Sequence, residues 1–416
     1  MTKKKKQVEE KKNNYIKNIA ILISISILTK ILVFFLTPNL FHSFIDTWDY
    51  HVYFETLVIP FTQGKLPYLD YNWEYPILML IPVAIAAIPT IALKSQDLFF
   101  TIFPILMIIC DLVTLCCVYF IALKIYNSSK RAFIAALLFA TAFSAAYFVM
   151  TKYDAFPTCL LMVGLTFTIY GKNFEGYLAT ILGFFTKIYP VVILPFIFFY
   201  NSKTTSLKQE AISVAKILIP AALILAIPTL IMNPSSISVY FLQTEMGKDF
   251  FVNTFTYTAY SWLHAVVDIP ITTVSAIMYA IMITSLLFLV YLAYSYPQKS
   301  PRFLLELSIC AIFSLVVFTK FHSPQYMMWF TPLLCILVAG DFLKIGLFYL
   351  TQALAFIEFP LVWRTLYTNT SYTSPLSAPL GQLTLVFFTF EYLVLFYLVW
   401  SVIEHKDLSY LKGSNK

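Results

Sequence analysis

The stretch Asn18-Ile-Ala-Ile-Leu-Ile-Ser-Ile-Ser-Ile-Leu-Thr-Lys-Ile-Leu-Val-Phe-Phe-Leu-Thr37 decides the fold class. As a helix it is long enough to cross a hydrocarbon core of about 30 Å. Lys3 to Lys6, Lys11, Lys12 and Lys17 precede it, and no small-residue cleavage site follows. It reads as an uncleaved anchor behind a basic cytoplasmic tail, 1–17, rather than as a signal peptide. Working outward, further apolar runs occupy 76–93, 98–123, 132–149, 156–170, 177–200, 212–232, 270–294, 303–318, 326–340, 343–363 and 381–403. The chain has 416 residues, of which 60% are hydrophobic and 12% charged. Runs of this number and length exclude a soluble globule. The expected fold is an all-α polytopic membrane protein, with about 10–12 spans. It forms one transmembrane domain over 18–403, with a short cytoplasmic tail at 404–416.

The net charge of +7 fits basic cytoplasmic loops. It does not call for nucleic acid, because no basic face is interleaved with aromatics in a soluble segment. The six cysteines, Cys110, Cys116, Cys117, Cys159, Cys310 and Cys335, all lie in apolar runs, without a histidine at metal-ligand spacing. They read as small core residues, and no metal or cofactor is expected.

Two runs resist the simplest threading. Segment 76–93 carries Pro76, Pro82 and Pro89 and is marginal in length. Segment 177–200 is interrupted by Thr186-Lys187-Ile188-Tyr189-Pro190, where proline disfavours helix and a lysine needs water or a partner. With 76–93 shallow on the outer side and 177–200 a broken hairpin pointing outward, 19 Lys and Arg fall in cytoplasmic segments and 7 outside. That bias favours this orientation. A single ordinary span over 177–200 is the alternative. The broken-hairpin arrangement brings Asp46, Asp49, Glu74, Asp154, Lys187, Lys320, His322 and Gln325 to one outer face.

Ile45-Asp46-Thr47-Trp48-Asp49-Tyr50-His51-Val52-Tyr53 and Trp73-Glu74-Tyr75-Pro76 concentrate acids in the first polar loop, 38–97. If 48–63 forms an interfacial helix, Asp46 caps it and Asp49 faces the cavity. A carboxylate there can take the proton of an acceptor hydroxyl. The plainer reading is a helix cap plus a solvated acid. Glu74 and Tyr75 either bind acceptor hydroxyls or mark an interfacial turn. Asp154, in Lys152-Tyr153-Asp154, lines the site or makes a local ion pair. Lys187 beside Tyr189 suits an interfacial phosphate, with snorkelling as the plainer reading. Lys320, His322 and Gln325 are candidates for a phosphate head group or form an ordinary loop. Residues 233–258, with Glu245, Lys248 and Asp249, are a candidate gate. Asn369-Thr370-Ser371 is an acceptor sequon. Asp111 reads as a buried hydrogen-bonding acid. Glu306, Glu358 and Glu391 receive no role.

Four segments together resemble the GT-C superfamily of polytopic glycosyltransferases. They are Asp46-Thr-Trp-Asp49-Tyr50 with Gly64-Lys-Leu-Pro67-Tyr68 and Tyr71-Asn-Trp-Glu-Tyr-Pro76; Cys110-Asp111-Leu112; Lys187-Ile-Tyr-Pro190; and Ser323-Pro-Gln325-Tyr326 with Trp329. The likeness is nearest to polyprenyl- or dolichyl-phosphate-mannose-dependent α-mannosyltransferases of the glycosylphosphatidylinositol and phosphatidylinositol mannoside types. Where that family often has Asp-x-Asp, Thr47 and Trp48 separate the acids here, which leaves the base open between Asp46 and Asp49. Asp-Tyr-x-Val-Tyr following Asp49 favours Asp49.

The resemblance implies an inverting transferase with its active site on the outer or lumenal face of the cell membrane, or of the endoplasmic reticulum in a eukaryote. Its partners would be a polyprenyl or dolichyl monophosphate sugar, most simply mannose, a lipid or glycan acceptor, and membrane lipids. Asp49 or Asp46 would be catalytic, Glu74, Asp154, Tyr75 and Gln325 would bind acceptor, and Lys187, Tyr189, Lys320 and His322 would hold the donor phosphate. A lipid or glycolipid transporter or flippase is the competing class, but the internal repeat expected of one is missing. A non-catalytic scaffold would not need Lys187 in a helix break.

Overall fold

The computed structural model describes residues 3–73, 75–235, 251–363 and 379–405. The protein is an all-α polytopic membrane protein. Its first helix, α1 (Lys3–Asn39), leads into α2 (Trp48–Tyr53), which continues through a wide turn at Phe54–Val58 into α3 (Ile59–Thr62). A 3-10 turn at Ile77–Met79 opens α4 (Leu80–Leu93), and α5 (Gln96–Tyr126) follows. Then come α6 (Ser129–Ala140), α7 (Phe143–Val149), α8 (Ala155–Ile169) and α9 (Asn173–Phe184). A second 3-10 turn, Tyr189–Ile193, precedes α10 (Leu194–Asn201), α11 (Leu207–Ala221) and α12 (Ile227–Met232). The rest is α13 (Phe255–His264), α14 (Ile271–Ser295), α15 (Pro301–Val317), a turn at Pro324–Tyr326, α16 (Met327–Val338), α17 (Phe342–Phe356) and α18 (Pro379–Val402).

Six helices among the described residues are long and apolar enough to cross a bilayer, and α6 with α7, bent by 58°, makes a seventh. Four shorter apolar helices include Ile77–Leu93. That segment rises about 25 Å, short of a full hydrocarbon core. Ile81, Ile85 and Ile88 stand exposed on one side while Val83, Ala86 and Ala87 are buried on the other. This is the pattern of a helix with one flank in lipid.

Local chemistry sets the ends. Ser206 and Gln209 form a reciprocal capping box on α11. Ser300 caps α15 with Pro301 at the first helical position, and Asp341 caps α17 through the N–H groups of Leu343 and Lys344. Helices α8 and α9 approach closely because Gly164 faces Thr180 and Gly176 faces Thr168, positions where a Cβ would collide. Helix α2 begins differently from the expectation. Thr47, not Asp46, holds the cap position, and Asp46 instead accepts the Trp48 N–H.

The 177–200 run is broken. Helix α9 ends at Phe184, and helix resumes only at Tyr189-Pro190. Helix α9 packs against α10, at least ten residues away in sequence, so the chain doubles back at Lys187. The Phe185 carbonyl accepts the Leu78 N–H and docks the start of the 77–93 segment on this break.

Inside the bundle, Lys30 of α1 meets Asp111 of α5 at 2.6 Å and also donates to Ser26. Both charged groups are buried, so Asp111 is an ion-pair partner and not only a hydrogen-bonding acid. At one end of α15, Arg302 joins Glu306 and Glu404, and Glu306 also meets His405. The other end of α15 runs into the loop 318–323, beside the candidate site.

Candidate active site

Three parts of the chain meet at that end: the start of α2, the loop between α7 and α8, and the break at Lys187. Lys152 lies in the α7–α8 loop. Its ammonium donates to Asp46 at 2.7 Å and to Asp49 at 2.9 Å, tying the start of α2 to the bundle. Burial pulls the Lys152 pKa down, but Asp49 and Asp46 outweigh it, and the net value stands above that of an ordinary lysine. Burial raises the Asp49 pKa above the usual carboxylate value. Lys152 opposes this, while Asp46 and Asp154 add repulsion. A carboxylate held in that balance has more affinity for a proton than a solvated one, as a general base requires.

Two residues on, Asp154 is fully buried. Its Oδ1 accepts from Lys187 Nζ and from Trp329 Nε1, both at 2.6 Å. Its Oδ2 has no hydrogen-bond partner among the described residues. Rings surround the Lys187 ammonium, with the centroids of Tyr153, Tyr326 and Trp329 at 4.7, 5.0 and 5.0 Å. Such faces attract a desolvated cation. Trp329 lies between Tyr189, stacked at 4.2 Å and 2°, and Tyr326 at 3.9 Å. The Tyr189 hydroxyl is engaged with Thr158 at 2.8 Å, so this tyrosine supports Trp329 with its ring.

Tyr153 joins the two halves, meeting Tyr75 and Tyr53 edge to face. The Tyr53 hydroxyl and the Trp73 indole N–H are buried without a partner among the described residues, and both are donors a bound substrate can use. The Tyr75 carbonyl accepts from the Tyr68 hydroxyl.

The structure thus brings Asp46, Asp49, Asp154, Lys187, Tyr75 and Tyr189 together. Gln325 is buried in the Pro324–Tyr326 turn with Ser323 as partner. The Lys320 carbonyl holds the Phe251 N–H. His322 departs from the sequence reading. Burial lowers its pKa to about 4, so it is a neutral imidazole at physiological pH and brings no positive charge to a phosphate. It packs edge to face on Tyr326, 5.8 Å between centroids, and lines a cavity with Asn253 and Glu358. Lys187 is likewise not an uncompensated cation, because Asp154 already neutralises it. Glu74, Glu245, Lys248, Asp249 and the Asn369 sequon lie outside the described residues. No group of three or more His, Cys, Asp or Glu among the described residues is arranged to hold a metal ion.

Sequence reasoning missed Lys152 as the link between the two acids, and Trp329 and Tyr53 as parts of the wall. Lys152 stands in the same tripeptide as Asp154. Its partners are more than 100 positions away, and nothing local names them.

No family model matches the sequence, and no curated protein is detectably similar to it. Similarity appears in three dimensions. ArnT from Cupriavidus metallidurans in the apo state aligns over 91% of this chain and 73% of its own, at 12% identity and a TM-score of 0.50. The fold is of that kind. ArnT bound to undecaprenyl phosphate aligns over 92% of this chain and 76% of its own, at 11% identity and a TM-score of 0.49. The archaeal oligosaccharyltransferase AglB from Archaeoglobus fulgidus, in complex with an inhibitory peptide and a dolichol-phosphate, aligns over 94% of this chain at 13% identity and a TM-score of 0.47. This chain spans 55% of the length of that one.

Proposed function

We propose that this protein is a membrane glycosyltransferase. It moves a sugar, mannose by the motif resemblance, from a polyprenyl or dolichyl monophosphate to a hydroxyl of a lipid or glycan acceptor, with inversion. The reading rests chiefly on one observation: the Asp46–Lys152–Asp49 cluster stands beside the Lys187–Asp154 pair at one end of an all-α membrane bundle. The ArnT-like fold is consistent with it.

In this reading Asp49 takes the proton of the acceptor hydroxyl as its oxygen attacks the anomeric carbon. The bond from that carbon to the phosphate oxygen breaks, and its electron pair leaves on the lipid phosphate. Lys187 and Lys320 stabilise the charge that builds there. Lys152 and Asp46 hold Asp49 in place. The Oδ2 of Asp154, the Tyr53 hydroxyl and the Trp73 N–H serve substrate hydroxyls. The cluster faces the outer or lumenal side, following the loop charges. Membranes containing the protein, given radiolabelled polyprenyl-phosphate-mannose and total lipid or glycan extract, should yield a labelled product that membranes with Asp49→Asn do not. Absence of any labelled product across mannose, glucose and aminosugar donors would sink the reading.

A further inference from the structure

Asp46 is held at two points by the end of one short helix. Between the end of α1 at Asn39 and the start of α2 at Trp48 the chain runs without helix, so its backbone groups need partners elsewhere. Close to α2 the partner is a side chain of α7. The Tyr147 hydroxyl donates to the Phe44 carbonyl at 3.2 Å and accepts the Asp46 N–H at 2.8 Å, across 103 and 101 positions of sequence. Tyr147 is 1% exposed, and its ring packs on Phe356, at the end of α17, and on Phe359 in the turn after it. Phe44 meets the same Phe359 edge to face, and the Ser43 hydroxyl donates to the Pro360 carbonyl. Lys152 follows just beyond the end of α7, and its own backbone N–H still bonds the Phe148 carbonyl. The end of α7 therefore grips Asp46 twice, at the backbone through a neutral hydroxyl and at the carboxylate through an ammonium.

The two contacts differ in what they fix. An ammonium is a compact point charge and satisfies a carboxylate from many directions. Asp46 and Asp49 reach the same one, at 2.7 and 2.9 Å. Alone, it would follow whichever carboxylate came nearer. The hydroxyl instead bonds the main chain, and a main chain pinned on both sides of Ile45 cannot drift. Asp46 stays within reach of Lys152, and Asp49 receives only a share of the positive charge.

We propose that Tyr147 is a positioning residue: by pinning the backbone of Asp46 it keeps the Lys152 ammonium divided between two carboxylates, and so leaves Asp49 incompletely neutralised. As a statement about the base of the transfer reaction, this rests on the reading of Asp49 given above; the clamp itself does not. Asp49 is faced by Asp46 from the preceding loop, by Lys152 and Asp154 from the α7–α8 loop, and by Tyr50 and Tyr53 of its own helix. Among these, Lys152 lowers its affinity for a proton and Asp46 raises it. Release of Asp46 removes the repulsion and hands the whole ammonium to Asp49. Both changes lower the pH at which Asp49 titrates.

Tyr147→Phe keeps the ring on Phe356 and Phe359 and removes both hydrogen bonds. In nanodiscs, with no turnover required, the infrared band of the protonated Asp49 carboxyl, identified by its loss in Asp49→Asn, is followed across a pH series. Its midpoint should fall in Tyr147→Phe and in Asp46→Asn. In the double variant, Tyr147→Phe should add nothing to the shift of Asp46→Asn, because it acts through Asp46; simple loosening of the fold would shift both backgrounds alike. In transfer assays Tyr147→Phe should lower kcat by about ten- to a hundredfold with the donor KM near the parent's, since a base displaced by about 1 Å costs rate rather than binding. An unchanged midpoint in folded Tyr147→Phe overturns the proposal. So does a shift in the double variant as large as the two single shifts combined. A shifted midpoint in a protein that transfers no sugar from any donor leaves the clamp standing and removes the transferase reading instead. Should Tyr147→Phe not fold, Asp46→Asn decides alone, and an unchanged midpoint there refutes the divided ammonium.

Discussion

Replacing Lys152 by methionine removes one cation from between two carboxylates. The ammonium lies 2.7 Å from Asp46 and 2.9 Å from Asp49, and the lysine side chain is only 6% exposed. Water therefore screens the pair little. Breaking a buried pair costs about 3–5 kcal/mol, because the partner's charge stays behind uncompensated. Here two charges stay behind, so the loss should sit high in that range unless a carboxylate takes up a proton. Asp49 is the one to do so. Burial already raises its pKa, and Lys152 is the largest influence holding it down.

The sign follows from linkage. A carboxyl whose folded pKa is raised favours the fold fully below its ordinary value of 3.8, and loses that contribution as the pH climbs through the folded pKa. Without Lys152 that window extends upward. Lys152→Met should melt well below the parent at neutral pH, and the gap should narrow in acid. The acidic limb of the transfer rate should move to higher pH, since a base must be ionised to accept a proton. Melting of the detergent-solubilised protein across a pH series, beside initial rates on the same samples, reads both effects. Adding Asp46→Asn removes one stranded charge and should return part of the stability. A variant with the parent's melting temperature and pH profile would refute the idea that Lys152 governs Asp49.

Asp49→Asn should lower turnover by about 10²–10⁴-fold and leave donor affinity nearly unchanged; if instead Asp46→Asn abolishes transfer and Asp49→Asn does not, the base is Asp46. Lys187→Ala should weaken binding of the lipid monophosphate donor by about tenfold or more, read by titration, because a charge-assisted contact is lost. Donor affinity equal to the parent's would remove Lys187 from the phosphate site. Trp329→Phe keeps a ring between Tyr189 and Tyr326 but loses the N–H to Asp154, and should cost about 1.5–3 kcal/mol of stability; melting like the parent's counts against that bond. In a cysteine-free background, Gln63→Cys and Lys203→Cys should react with an impermeant thiol reagent from opposite sides of the membrane. Labelling from one side alone contradicts the proposed orientation.

Some of this was legible in the chain itself. Apolar runs at bilayer length gave the all-α membrane class, because in lipid the backbone must bond within its own segment. The Lys187-Ile-Tyr-Pro190 break was readable because proline restricts the residue before it. That Asp46, Asp49, Asp154 and Lys187 meet followed from counting charges on loops. Which groups pair did not follow. Trp329 reaches Asp154 across 175 positions, and that choice is made by helix packing. His322 was misread because an imidazole's charge depends on its solvation, which a sequence does not display. Glu358 and Glu391 looked like isolated acids in apolar runs, and only the packing of α18 and the α17 turn on the Asn253 loop makes them one group.

The pair Lys30–Asp111 bears on how the protein is made. Helix α1 carries a lysine well inside its apolar stretch, and its counter-ion belongs to a helix that comes later in the chain. A lone lysine or aspartate near a helix centre costs about 2.5–3.5 kcal/mol on insertion scales. Until α5 is in place, Lys30 lacks the carboxylate that neutralises it in the folded bundle. The arrival of Asp111 cancels both penalties at once and sets the depth of the two helices relative to each other. The ion pair therefore ties the seating of α1 in the bilayer to that of α5.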